Sequence, residues 1–225
     1  MCGRFNLIDS QEIQRLCETI GVTLLGHHMQ PDIAPGANIA IVHSLAGVRQ
    51  VSNATWWLLL EEEKLKPNYR YASFNSRFDK LSVEGSISYI PFRESRCIIP
   101  ASAFLEGLGD KKTYHKVEIE NSAIAFGGLF KEYLNRETAK TVYSASIITC
   151  PPITEKWKGI HPKSIPLMID TNDEEITKNW LDPFFQDVEK FKPLFERKSP
   201  KRLRITQIGK PSKWNPIGKS FIMEA

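Results

Sequence analysis

No stretch of this chain comes near the roughly 20 consecutive apolar residues that cross a bilayer. The opening MCGRFNLIDSQ has no basic leader followed by an apolar core, so no secretory signal is read there. Cysteine is sparse. Cys2, Cys17, Cys97 and Cys150 are scattered, with no CxxC pair and no spacing of the kind that holds a metal. In a chain that is not exported, free thiols fit better than disulfides, and neither a metal nor another cofactor is expected. Internal repeats and low-complexity linkers are also missing. Together these absences point to a cytoplasmic protein, nucleoid-associated if it meets DNA, with no membrane partner.

What remains is an ordinary globular composition, 41% hydrophobic and 25% charged over 225 residues, enough for one large domain or two small ones. The net charge of +4 and the pI near 8.8 permit nucleic-acid binding without demanding it. Any such binding has to come from a local groove rather than from bulk charge.

The pattern along the chain predicts a helix at 10–20. Asp9 and Glu12 form a capping pair, Ile13, Leu16, Cys17 and Ile20 line one apolar face, and Gly21 ends it. Cys17 reads as core packing. Short strands are expected at 38–43, 47–52, 54–60, 97–100, 114–120, 123–130, 142–149 and 165–169, several of them rich in Val, Ile and aromatics. A second helix is expected near 172–181, with Asn172 and Glu175 as caps and Pro183 as its stop, and a further short helix within 184–198. Strands dominate and helices flank them. The expected fold is α+β, one domain around a strongly curved mixed sheet or barrel with peripheral helices.

Four segments carry candidate chemistry. Initiator Met is normally trimmed before a residue as small as Cys, which would leave Cys2 with a free α-amine beside its thiol. With pKa values of about 8 and about 8.5, both groups reach nucleophilic forms near neutral pH. The amine can form a Schiff base with an aldehyde and the thiol can close a thiazolidine ring on it. Position 2 alone does not separate this from an inert small residue. Asn75 and Arg77, one residue apart on an extended segment, would share a face, suiting one to orient a reacting group and the other to grip a phosphate. A loop Asn beside a surface Arg is the alternative. Glu106 comes after an apolar strand and a turn in Arg96–Leu105, with apolar Leu105 just before it. Partial burial would raise its pKa and suit it to proton transfer, and a solvated strand end is the alternative. His161, before Pro162, could shuttle protons near neutral pH, whereas His27, His28, His43 and His115 read as surface or structural.

The order and spacing of these segments resemble the SOS-response-associated peptidase (SRAP) family across essentially the whole chain. The resemblance rests on the N-terminal MCGR, the Ala34-Pro35-Gly36 turn, the N-x-R of Asn75 and Arg77, and RCIIPA leading to F-x-E at Glu106. It continues through Gly127-Gly128-Leu129 and Ile148-Thr149 to His161. It implies a single SRAP domain over 1–225 that senses abasic sites in single-stranded DNA. After removal of Met1, Cys2 would form a covalent thiazolidine with the open-chain aldehyde of the abasic sugar. In that reading Asn75 orients the sugar, while Glu106 assists ring opening and proton transfer. His161 acts as acid or base during ring closure and reversal. Arg4 and Arg77 would hold flanking phosphates, with Pro35 and Thr149 lining the site. The implied partner is abasic single-stranded DNA, bound by a monomer. A nominal peptidase or lyase-like activity goes with the family name. Two alternatives stay open: an N-terminal-nucleophile cysteine peptidase or amide hydrolase, and a non-covalent single-strand-binding module in which Cys2 is inert.

The chain also departs from the family pattern. Trp56-Trp57 stands where W-G-L-x-P is common, and is expected to place one indole inside and one outside rather than to form a base-stacking wedge. Tyr89 replaces a frequent Arg, a lost phosphate contact that Arg93 or stacking on Tyr89 could replace. Gly107 replaces the Trp that often follows the glutamate. In the longer His161-Pro162-Lys163-Ser164-Ile165-Pro166, Lys163 only approximates the usual Arg.

Overall fold

The computed structural model describes residues 2–152, 154–196 and 202–224. Its strands are β1 (Phe5–Leu7), β2 (Gln30–Ile33), β3 (Asn38–Leu45), β4 (Val48–Thr55), β5 (Asn75–Arg77), β6 (Arg96–Ala101) and β7 (Ala103–Gly107). They continue with β8 (Tyr114–Ile119), β9 (Ile124–Asn135), β10 (Lys140–Cys150), β11 (Ile165–Pro166), β12 (Leu203–Ile208) and β13 (Phe221–Met223). The helices are α1 (Gln11–Ile20), α2 (Tyr89–Glu94), α3 (Glu155–Lys158), α4 (Glu174–Leu181) and α5 (Lys192–Glu196).

Five strands close into a barrel. β10 runs parallel to β4, and antiparallel pairs β4–β3, β3–β6, β6–β9 and the long β9–β10 hairpin return the ladder to its start. Closure removes the unpaired edges that an open sheet leaves. A second sheet, in the order β13-β12-β8-β7-β1-β2, packs beside it. Phe5 of β1 joins the two, meeting Trp56 edge-on at 4.8 Å and Phe126 of β9 at 5.9 Å. The fold is α+β with a barrel core, as the pattern of short strands implied.

The Gly127-Gly128 pair is explained by close packing on both sides of β9. A β-carbon on Gly127 would lie 2.5 Å from Leu167, and one on Gly128 would lie 2.8 Å from Ile99 and 3.0 Å from the Ser146 carbonyl. Buried Arg96 ties the helices on. Its guanidinium donates to the carbonyls of Phe92 and Arg93 at the end of α2, and of Asn179, Trp180 and Asp182 at the end of α4. These carbonyls include ones that a helix end leaves without partners. One cation therefore caps two helix C-termini, where positive charge is favoured.

Several boundaries differ from the sequence expectation for local reasons. Ser10, not Asp9, caps α1, its hydroxyl accepting from the Ile13 N–H in an extended conformation, and Gly21 ends the helix at φ +68°. Asp173, not Asn172, caps α4, because the Asn172 side chain turns back to Asp170. The expected strand 54–60 stops at Thr55: Trp56 N–H bonds the Ala37 carbonyl and Trp57 N–H the Thr55 carbonyl, leaving an irregular segment. Hence both indoles are buried, correcting the one-in, one-out expectation, with their N–H groups donating to Phe74 and Asn68 carbonyls. The expected strand 165–169 is ladder-paired only at Ile165–Pro166, with Met168 adding an isolated bridge to Phe126. The stretch 184–198 holds a short 3-10 turn at 188–191 and then α5; residues 197 and 198 lie outside the described residues.

Gly128→Ala is expected to destabilise the fold by about 1–3 kcal/mol, because a backbone carbonyl cannot yield as a side chain can. Denaturant unfolding monitored by tryptophan fluorescence checks this.

Candidate functional site around Cys2

Cys2 is held inside the protein. Cys2 is fully buried, and its backbone carbonyl accepts a 2.7 Å hydrogen bond from Asn75 Nδ2. Asn75 opens β5, a short strand laid parallel to β10 with Asn75 opposite Ile147 and Arg77 opposite Thr149. That pairing fixes the amide in depth and direction. Asn75 Oδ1 is buried and has no hydrogen-bond partner among the described residues.

The next residues along the chain enter β1, which pairs with β7. Leu105 N–H bonds the Arg4 carbonyl, so Glu106 is carried past the cysteine by strand register. Its side chain is buried. Burial raises the Glu106 pKa to about 8, because a carboxylate loses its hydration there. His161, in the loop after α3, places Nδ1 2.7 Å from the Gly107 carbonyl and 3.6 Å from Glu106 Oε2. A carbonyl only accepts, so Nδ1 carries the proton of the neutral ring. Burial lowers the His161 pKa; the bond to Gly107 opposes this and Lys163 adds to it. At pH 7 the pair is thus a neutral carboxylic acid beside a neutral imidazole, one a proton donor and the other an acceptor.

The thiol itself differs from the expectation of a readily ionised group. Burial pushes the Cys2 pKa well above its ordinary value, and the Glu106 carboxylate acts in the same direction. In the chain that carries Met1 the group is therefore a neutral thiol, and its reaction requires removal of its proton.

The structure thus brings Cys2, Asn75, Glu106 and His161 into one cluster, from four separated segments. The other sequence candidates lie around it. Thr149 is buried on β10 beside β5, and Pro35 sits half-buried in the turn leaving β2, where Gly36 takes φ +91°. Neither arginine stands unpaired. Arg4 forms an ion pair with Asp32 of β2, and Arg77 grips Asp79 through two bonds of 2.9 and 2.8 Å. Sequence reading missed both aspartates. Asp79, two residues beyond Arg77, was open to it; Asp32, 28 residues from Arg4, was not. Arg93 stacks 3.6 Å over the Tyr89 ring and donates to the Leu81 and Tyr89 carbonyls, so each already occupies the other. Among the described residues no group of three or more His, Cys, Asp or Glu side chains could hold a metal ion.

The barrel, the flanking sheet and the cluster of Cys2, Asn75, Glu106 and His161 from separated segments define the class as an α+β protein with a buried polar site. The chain belongs to the SOS response associated peptidase (SRAP) family, whose sequence model matches residues 1–211. No curated protein matches it in sequence. Among solved structures it is similar to a protein from Bordetella bronchiseptica, with TM-score 0.71 and 16% identity over 93% of this chain and 100% of that one. It is also similar to a protein from Bacteroides thetaiotaomicron, with TM-score 0.63 and 16% identity over 92% of each chain. A phage-related protein from Bordetella bronchiseptica gives 0.66 and 15%, over 92% of this chain and 94% of that one. At these identities the likeness shows the shared fold.

A carboxyl whose folded pKa is raised adds stability that is fully present below its unfolded value, near 4.5, and is lost as pH rises through about 8. Glu106→Gln is therefore expected to match the parent's thermal stability near pH 5 and to exceed it at pH 9. Melting curves across that range check the sign.

Proposed function

We propose that, once Met1 is removed, Cys2 captures the open-chain aldehyde of an abasic site in single-stranded DNA as a covalent thiazolidine. The observation that carries this reading is the Asn75 amide holding the Cys2 carbonyl within reach of a neutral acid–base pair. An aminothiol needs its amine and its thiol presented to one carbon, and a fixed carbonyl fixes the backbone from which both project. Asn75 Oδ1 supplies an acceptor for a donor on the amine or sugar; satisfying it recovers a desolvation cost of about 1–3 kcal/mol.

The chemistry balances with loss of one water. The α-amine adds to the aldehyde carbon, and Glu106, as a neutral acid, gives its proton to the departing hydroxyl. The resulting iminium is attacked by sulfur as His161 accepts the thiol proton. The proton held by the ring nitrogen then returns to Glu106, restoring the cluster. Ring opening and hydrolysis retrace these steps. A buried site keeps bulk water and stray bases from the aldehyde carbon, which suppresses β-elimination and strand scission. Arg4 and Arg77 contact flanking phosphates by exchanging or sharing Asp32 and Asp79.

Processed protein incubated with an abasic single-stranded oligonucleotide is expected to give an adduct that survives heating in denaturant. Cys2→Ala is expected to abolish it, and Asn75→Ala to slow its formation by about 10- to 100-fold through lost orientation. Gel shift under denaturing conditions reads both; no adduct from protein with verified Met1 removal would sink the proposal. The rate is expected to rise with pH as the α-amine deprotonates, and to fall above about pH 8 as Glu106 loses its proton. In Glu106→Gln the reaction should be slower throughout and lack that falling limb.

A further inference from the structure

The segment between β12 and β13 carries a feature that the candidate site does not use. Residues 209–220, GKPSKWNPIGKS, contain three lysines and no carboxylate. The turn is tightly specified. Lys213 N–H and Trp214 N–H both bond the Lys210 carbonyl, Gly209 N–H bonds Asn215, and Ile217 N–H bonds Gln207. Trp214 sits at φ +55°, a left-handed conformation that a bulky side chain rarely adopts and that surrounding contacts must enforce. Its indole N–H donates to Asp32 Oδ1 at 3.0 Å, while Asp32 Oδ2 holds Arg4.

This contact joins the two flanks of the six-stranded sheet. β12 and β2 are separated in that sheet by β8, β7 and β1; β7 carries Glu106, and Arg4 lies just ahead of β1, its carbonyl bonded to Leu105 N–H. The turn therefore bridges the strands on which the site is built, from a segment that extends past the 1–211 family match. Asp32 is also well placed to weaken Arg4, since a carboxylate competes with a phosphate for the same guanidinium. An indole N–H on its other oxygen fixes the carboxylate's orientation and shares its charge, which leaves Arg4 held in place but not fully neutralised.

We propose that the β12–β13 turn is a basic wall of the single-strand groove, and that Trp214, acting through Asp32, positions Arg4 for a phosphate of the bound strand. The proposal rests on the reading of the protein as a single-strand binder, and it names Trp214 as a positioning residue. It goes beyond that reading by assigning a part to Trp214, which lies outside both the sequence motifs and the 1–211 family match.

The test measures binding of an undamaged single-stranded oligonucleotide to the full chain by fluorescence anisotropy as a function of salt. Trp214→Phe, which removes the indole N–H and keeps an aromatic ring, is expected to weaken binding about three- to tenfold at low salt. It should also shallow the slope of log K against log salt by up to about 0.7, the increment for one phosphate on a single strand. In an Arg4→Ala background the same substitution should have no further effect, because its route runs through Arg4. Asp32→Asn enters the relay separately, and its effect should likewise vanish with Arg4. An unchanged slope in Trp214→Phe, or an undiminished effect without Arg4, overturns the proposal. Failure of the abasic crosslink with normal salt-sensitive binding would instead refute only the covalent reading.

Discussion

One buried hydrogen bond, from the Asn75 side chain to the Cys2 carbonyl, fixes the geometry on which the site depends. The end of a chain is ordinarily the least constrained part of a protein. Here a barrel-associated strand holds it from one side and the β1–β7 ladder from the other. Depth follows from that anchoring, and the electrostatics follow from depth. Removed from water, the Cys2 thiol stays protonated, the Glu106 carboxyl keeps its proton up to about pH 8, and the His161 ring stays neutral. The same burial that quiets each group arranges them as donor and acceptor at neutral pH.

The frame that makes this possible is small and closely packed. The barrel closes where Gly127 and Gly128 let β9 approach Leu167, Ile99 and the Ser146 carbonyl, and β10 then offers one edge to β5 and its last residues to β11. Arg96 holds α2 and α4 by their C-terminal carbonyls, and burial brings its pKa down to about 10, still far above neutrality. A permanent charge there is tolerated because nearly every direction of the guanidinium meets a carbonyl. Within this frame Asn75 and Glu106 sit on paired strands, which suits chemistry that tolerates little misplacement.

What the sequence disclosed and what it hid divide along a physical line. Periodic or capped segments such as α1 and the strands at 38–45 and 114–119 were legible because their signals are local. β1, β2, β7, β12 and β13 were not found: short strands exist only through their neighbours, and the three residues of β1 or β13 carry no periodicity of their own. α2 was missed because Pro91 and a short length disguise a helix whose first turn tolerates proline. The Trp pair was misjudged because strand alternation was assumed where the backbone turns irregular after Thr55. In the site, Cys2, Asn75, Glu106 and His161 were named by motif spacing, and the structure places them together. Asp32 and Trp214 were invisible, since contacts across 28 and 182 residues leave no trace in one sequence. The ionisation of Cys2 was also beyond reach, because pKa follows depth and not residue type.

The central claim is that both nucleophiles of one N-terminal residue close a ring on one carbon of the DNA sugar. Intact-mass analysis of protein lacking Met1, after reaction with an abasic oligonucleotide, tests it most directly when followed by fragment mapping. The account requires a mass equal to protein plus oligonucleotide less one water, with Cys2 blocked at both its amine and its sulfur and the bond unaffected by borohydride. An adduct mapped to a lysine, or one that borohydride reduces as an open Schiff base, would contradict it.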